Sequence, residues 1–234
     1  MFPNRCKRRR FYEAFICVVC LLVILPIIVK KAKAADIIAK VLNDNSQPIR
    51  HAVVYADPEA NIPPAPQTNE AVIDQIDKMF KPFVSVVRVG TRIKFPNNDN
   101  IQHHVYSFSR ANKFELPLYA EQVASPVIFD KVGAVVLGCN IHDWMMAHVL
   151  VVETPYFAVT DQNGQAFLND LPDGDYKVQV WHPGMRKKPK IKPQMIKISV
   201  ANKEVKFNLR LKARRKWWRN RPDASESEYG STYK

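Results

Sequence analysis

The chain has 234 residues, and its 47% hydrophobic content is enough to build a core and too much for a chain that stays unfolded. Its four cysteines are too few for a disulfide scaffold at this length. The 35 Lys and Arg exceed the 22 Asp and Glu by 13, which suggests a nucleic-acid partner until the position of that charge is considered.

Much of the charge lies at the N-terminus. Arg5, Lys7, Arg8, Arg9 and Arg10 precede an apolar run over 14–29, and Ala32-Lys33-Ala34 follows it. A basic head, an apolar middle and a small-residue exit predict a signal peptide, 1–34, cleaved after Ala34 on export to the periplasm. The run is shorter than the roughly 20 residues of a spanning helix. An uncleaved anchor is the alternative reading, and Lys30, Lys31 and Lys33 favour it. Cys17 and Cys20 lack the preceding small residues of a lipoprotein site. Without residues 1–34 the chain keeps 27 basic and 21 acidic residues, a net +6, and one cysteine, Cys139. Export argues against nucleic acid, and a single thiol cannot close an internal disulfide.

The body reads as all-β. Short alternating apolar runs predict strands near 37–42, 52–55, 83–89, 104–108, 127–129, 134–137, 149–152, 176–180 and 204–212. In the last, Val205, Phe207, Leu209 and Leu211 alternate with Lys206, Asn208, Arg210 and Lys212. Turn signals separate the strands: Pro96-Asn97-Asn98-Asp99-Asn100, Asp161-Gln162-Asn163-Gly164 and Pro172-Asp173-Gly174. One helical turn is expected around 70–79. Four prolines mark 59–69 and its border as a linker, and 213–234 reads as a basic, disordered tail.

The chemistry concentrates in Gly138-Cys139-Asn140-Ile141-His142-Asp143-Trp144-Met145-Met146. A thiolate, an imidazole and a thioether fall within seven residues, and His103 and His104 supply more imidazole upstream. Two imidazoles and a thiolate in a plane, with a weak thioether above, form the blue-copper arrangement. A strand ending at Gly138 would deliver Cys139, a short loop His142 and Met145, and a neighbouring strand the first histidine. Zinc from Cys and His alone lacks the four strong ligands of a structural site. A dinuclear copper centre needs two cysteines. A cysteine protease would pair Cys139 with a histidine base but leaves the methionine spacing unexplained.

The Cys-x-x-His-x-x-Met spacing resembles that of amicyanin, a short-loop member of the plastocyanin-like cupredoxins. The family's upstream histidine opens the strand after an Asn-rich turn, which matches 97–105 and implies His103 as the ligand. The region 73–152 is similar to bacterial cupredoxin-domain proteins often labelled methylamine utilisation proteins. The resemblance implies a Greek-key cupredoxin β-sandwich over 70–153 holding one type 1 copper on His103, Cys139, His142 and Met145. Met146 is the competing axial candidate, but the amicyanin-like spacing favours Met145 and Met146 reads as packing, while His104 reads as a group beside the site or at the surface. Two positions depart from the pattern: His104 stands where Asn is usual, and Asp143 where Pro is common. A carboxylate beside a ligating imidazole would favour the oxidised site. The resemblance further implies single-electron transfer, without enzyme activity, between a dehydrogenase and a c-type cytochrome.

A second resemblance joins the ends of the body. Ile38-Ala39-Lys40-Val41-Leu42 and Ala52-Val53-Val54-Tyr55, placed before Thr160-Asp161-Gln162-Asn163-Gly164 and Leu171-Pro172-Asp173-Gly174-Asp175-Tyr176, resemble the transthyretin-like, carboxypeptidase-regulatory β-sandwich, an Ig-like architecture. This implies one discontinuous sandwich, 35–58 and 154–212, interrupted by the copper domain. The alternative attaches the first strands to the cupredoxin sheet. Trp181-His182-Pro183 reads as a strand end. The basic runs at 186–190 and 214–219, the latter with Trp217 and Trp218, suggest contact with an anionic membrane surface or an acidic partner, and equally a solvated loop and tail. The rival function is an envelope copper-binding module for storage, sensing or adhesion, which the extra sandwich and basic tail favour.

Overall fold

A computed structural model describes residues 34–60, 70–120, 125–185, 191–199 and 201–212. The predicted signal segment as far as residue 33, most of the predicted linker, the 186–190 run and the tail lie outside the described residues, and Ala34 is the first residue of a strand. Among these residues every regular element is a strand, and the fold is all-β.

In chain order the strands are β1 (Ala34–Leu42), β2 (Val53–Pro58), β3 (Glu70–Val72), β4 (Asp74–Ile76), β5 (Met79–Lys81), β6 (Val84–Arg88), β7 (Thr91–Lys94), β8 (His103–Ser109) and β9 (Asn112–Tyr119). There follow β10 (Val127–Phe129), β11 (Gly133–Gly138), β12 (Met146–Val152), β13 (Phe157–Val159), β14 (Gln165–Pro172), β15 (Gly174–Trp181), β16 (Gln194–Ile198) and β17 (Lys203–Asn208).

Two pairs of sheets each enclose a core. In the first, the order β14-β1-β17 faces the order β13-β2-β15-β16. β1 runs antiparallel to β14, with Ile38 opposite Phe167, and parallel to β17, with Ala39 opposite Val205. β2 pairs with β15, with Val54 opposite Val180. The shared core includes Ile37, Val41, Val54, Leu168, Tyr176, Val178 and Phe207. Alternation produces it: Val205 and Phe207 are buried while Glu204, Lys206 and Asn208 face solvent. Among the described residues, both N-terminal strands therefore pair only with strands C-terminal to residue 156.

In the second, β10-β7-β3 faces the five-stranded order β6-β12-β11-β8-β9. Its core gathers Ile73, Phe80, Ile93, Phe95, Val105, Phe129, Val135, Leu137, Met145 and Val149 around Cys139. A third cluster joins the two sandwiches: Val53 from β2 packs with Val84, Leu150 and Val152 from β6 and β12, flanked by Tyr55, Phe83, Phe157 and Trp181.

The helical turn expected around 70–79 is absent. Residues 74–81 form the two-stranded β4–β5 hairpin, and β3 joins β7. Asp77 and Lys78, both at φ 57, make its tight turn. Two successive left-handed residues are the requirement of a hairpin turn that matches strand twist, and the usual Asn-Gly signature is missing here.

Gly164 closes the predicted turn after Asp161. It sits at φ +69, its carbonyl accepts from Val41 N–H at 2.8 Å, and a Cβ there would lie 2.5 Å from the Val41 carbonyl oxygen. Gly164→Ala is expected to lower stability by more than about 1 kcal/mol, since backbone strain adds to backbone collision. Urea unfolding of the metal-free protein measures this, and a midpoint unchanged from wild type would contradict it.

Candidate metal centre

Strand pairing assembles the site. Gly138, the last residue of β11, pairs with Tyr106 on β8 and with Met146 on β12. Cys139 therefore leaves its strand beside the start of β8, where His103 stands. A bulge between His103 and Val105 gives β9 one extra residue opposite this point. Bulges re-aim side chains in this way. The loop from Cys139 to Met145 is closed by its own backbone: Met145 N–H donates to His142 O at 2.9 Å, and Cys139 N–H to Met145 O at 3.2 Å.

Three ligating atoms converge. Cys139 Sγ lies 3.9 Å from His103 Nδ1 and 3.8 Å from His142 Nδ1, and all three atoms lie within 4.8 Å of one another. The imidazole rings are 5.0 Å apart and inclined by 60°. His103 is fully buried, Cys139 nearly so, and His142 half-buried against Trp144. A first-row metal about 2.3 Å from sulfur and about 2.0–2.1 Å from nitrogen, at an angle near 120°, separates those atoms by about 3.8 Å. The spacing of the donors fits a shared trigonal ion.

Met145 is buried in the core at 1% exposure, and its main chain closes the loop. Met146 is half-buried and opens β12. His104 is not among the converging groups: its Nε2 is 2.9 Å from Glu115 Oε1 and its ring lies 5.6 Å from that of Tyr106. Asp143 is exposed.

Sequence reasoning took Asn97 and Asp99 only as turn residues. Asn97 is 7% exposed. Its Nδ2 donates to Ile101 O at 2.9 Å and Tyr119 O at 2.8 Å, and its Oδ1 accepts from Asp99 N–H at 3.0 Å. Asp99 Oδ2 is 2.6 Å from His103 Nε2. A carboxylate four residues before a candidate histidine was the available signal. Gln75, also buried, donates to Pro96 O and Tyr119 OH, and Tyr119 OH donates to Phe95 O. Burial pushes the Tyr119 phenol up to about 12.

The electrostatics favour a thiolate. Burial opposes ionisation of Cys139, but the His103 ring and the N–H groups of His104, Ile141 and His142 outweigh it and lower its pKa. Burial likewise opposes protonation of His103, and its bonds to Cys139 and Asp99 win, raising it. His142 is lowered, by burial first and then by the charges of His103 and Lys78.

No family model and no curated protein matches the chain. Among solved structures it is similar to a purple cupredoxin from Nitrosopumilus maritimus, with 21% identity over 35% of this chain and 99% of that one, at a TM-score of 0.32. A reduced amicyanin mutant shares 19% identity over 42% of this chain and 99% of its own, at 0.33. A copper-containing nitrite reductase from Thermus scotoductus SA-01 shares 23% over 42% of this chain, at 0.35, and only 25% of that enzyme is spanned. The donor set, not these likenesses, carries the chemistry.

Asn97→Ala would leave the Ile101 and Tyr119 carbonyls without their donor. The metal-free variant is expected to lose about 1–3 kcal/mol, the cost of an unsatisfied buried group, because the two carbonyls are part-buried. Urea unfolding checks it; a loss below about 0.5 kcal/mol, the range of an ordinary surface substitution, would show that this side chain does not hold the loop.

Proposed function

We propose that the chain is an exported mononuclear type 1 copper protein that carries single electrons between redox partners. The observation that supports this most is the buried Cys139 sulfur flanked at 3.8 and 3.9 Å by one imidazole nitrogen from each of two separate elements. A soft thiolate with two imidazoles suits copper, and a fourth strong ligand of the kind structural zinc takes is not among the grouped residues. Met145, buried beside them, is the proposed weak axial donor, and His104 and Met146 stay outside the coordination sphere.

Copper bound there would supply a one-electron couple. The chain's own residues do the rest. Cys139 and His103, inside the core, exclude water and keep their places. The loop bonds between Cys139, His142 and Met145 resist rearrangement when charge changes. His142, half-buried, is the ligand a partner can approach. No group in the site is arranged for bond chemistry on a substrate, so we read the protein as a carrier and not an enzyme. The resemblance to amicyanin suggests a dehydrogenase donor and a c-type cytochrome acceptor. The N-terminal segment supports a periplasmic location. We further read 35–58 with 154–212 as one transthyretin-like domain interrupted by the cupredoxin domain, 70–153, which the pairing of β1 and β2 with the C-terminal strands supports.

Copper-loaded protein should be intensely coloured from a copper(II)–thiolate bond, and Cys139→Ser should be colourless. Met145→Leu should keep the colour and raise the reduction potential, because loss of an axial donor disfavours copper(II). Visible spectroscopy and voltammetry read both. A colourless protein that retains copper(I) would replace electron transfer with storage or sensing. A protein that binds no copper would leave Cys139 a core residue.

A further inference from the structure

One carboxylate serves two elements. Asp99 Oδ2 contacts His103 Nε2 at 2.6 Å and accepts the Lys78 N–H at 2.8 Å, while Oδ1 accepts the Asp77 N–H at 2.7 Å. Its side chain is only 11% exposed. Asp77 and Lys78 are the two left-handed residues of the β4–β5 turn, a conformation that non-glycine residues adopt rarely. Their backbone donors face this carboxylate, so the turn's unfavourable geometry has a compensating contact.

The same contact selects the form of the ligand. In the neutral, metal-binding ring a carboxylate at Nε2 holds the single proton there, which leaves the Nδ1 lone pair directed at the site, 3.9 Å from Cys139 Sγ. We propose that Asp99 is a positioning residue: it holds His103 ready to bind metal through Nδ1 and ties that ring to the 77–78 turn. Its negative charge beside the site also favours the more positive oxidation state of the metal. The choice of copper rests on the reading proposed above; the positioning of the ring does not.

Two variants of the full chain separate the parts. Asp99→Asn removes the charge and one acceptor oxygen but keeps an amide oxygen for one of the two turn N–H groups, whereas Asp99→Ala removes the charge and both acceptors. Cobalt(II) titration is the probe of the metal site, and amide hydrogen exchange of the metal-free protein is the probe of the turn. With Asn, cobalt(II) affinity should fall about 10–100-fold, the usual cost of losing an outer-shell partner. The copper potential should rise, and of the Asp77 and Lys78 amides the one that the remaining amide oxygen accepts should stay protected. With Ala, the affinity loss should be joined by faster exchange at those two amides. Affinity and potential unchanged in the Asn variant would show that packing alone holds His103. Exchange unchanged in the Ala variant would show that the turn does not need the carboxylate. Either result overturns the proposal. Wild-type protein that binds cobalt(II) but forms no coloured copper(II) species would sink the electron-carrier reading alone, and the cobalt(II) comparison would still decide the role of Asp99. Wild-type protein that binds neither ion would overturn both.

Discussion

The site depends on one backbone junction. Gly138 is hydrogen-bonded into the sheet between Tyr106 and Met146, so three strands meet at the residue before Cys139. Pairing at that point brings the end of β11, the start of β12 and the start of β8 together, and each delivers its candidate ligand there. Gly138 also lets the sheet face close: a Cβ would lie 2.8 Å from the Tyr106 ring. Sequence-distant donors, His103 and Cys139, become neighbours through sheet register and not through any local signal.

Burial then divides the roles. His103 and Cys139 lie in a core of branched and aromatic side chains, where a shift of one group is resisted by all its neighbours. His142 sits at the margin, on a loop short enough for its own main-chain bonds to fix it. A buried sulfur with one imidazole at the margin is the arrangement on which the proposed electron-carrier reading rests. Most of the polar groups around it are held as well. Asn97, Asp99, the Gln75 amide nitrogen and Tyr119 bind main-chain atoms or one another, whereas Gln75 Oε1, His104 Nδ1 and Trp144 Nε1 are buried without a hydrogen-bond partner.

The second sandwich adds a different constraint. Val53, Val84, Leu150 and Val152 form a shared apolar cluster, with Phe83 and Trp181 beside it. Phe83 meets the His148 ring edge-on at 5.3 Å, and His148 lies on β12, the strand that leaves the site. A loose tether would leave such surfaces wet. Here β12 is covered on one face by the core that contains Cys139 and on the other by the neighbouring sandwich, and that double cover rigidifies the strand on which the 139–145 loop ends.

How much of this was legible depended on the range of each interaction. Cys139, His142 and Met145 sit within seven residues, so their spacing carried chemistry that needed no tertiary knowledge. Strands such as β15 and β17 were legible from alternation. β9 was not, because Pro117 and the charges of Lys113 and Glu115 disguise an edge strand. The 74–81 hairpin was read as a helical turn because its turn residues, Asp77 and Lys78, carry no glycine. Their left-handed geometry is supported by Asp99, a side chain some twenty residues away. The role of Asp99 was hidden for the same reason: in the sequence it is one more polar residue in an Asn-rich turn. Only the folded chain shows that the feature misread as a helix and the residue overlooked as a turn are two ends of the same contact.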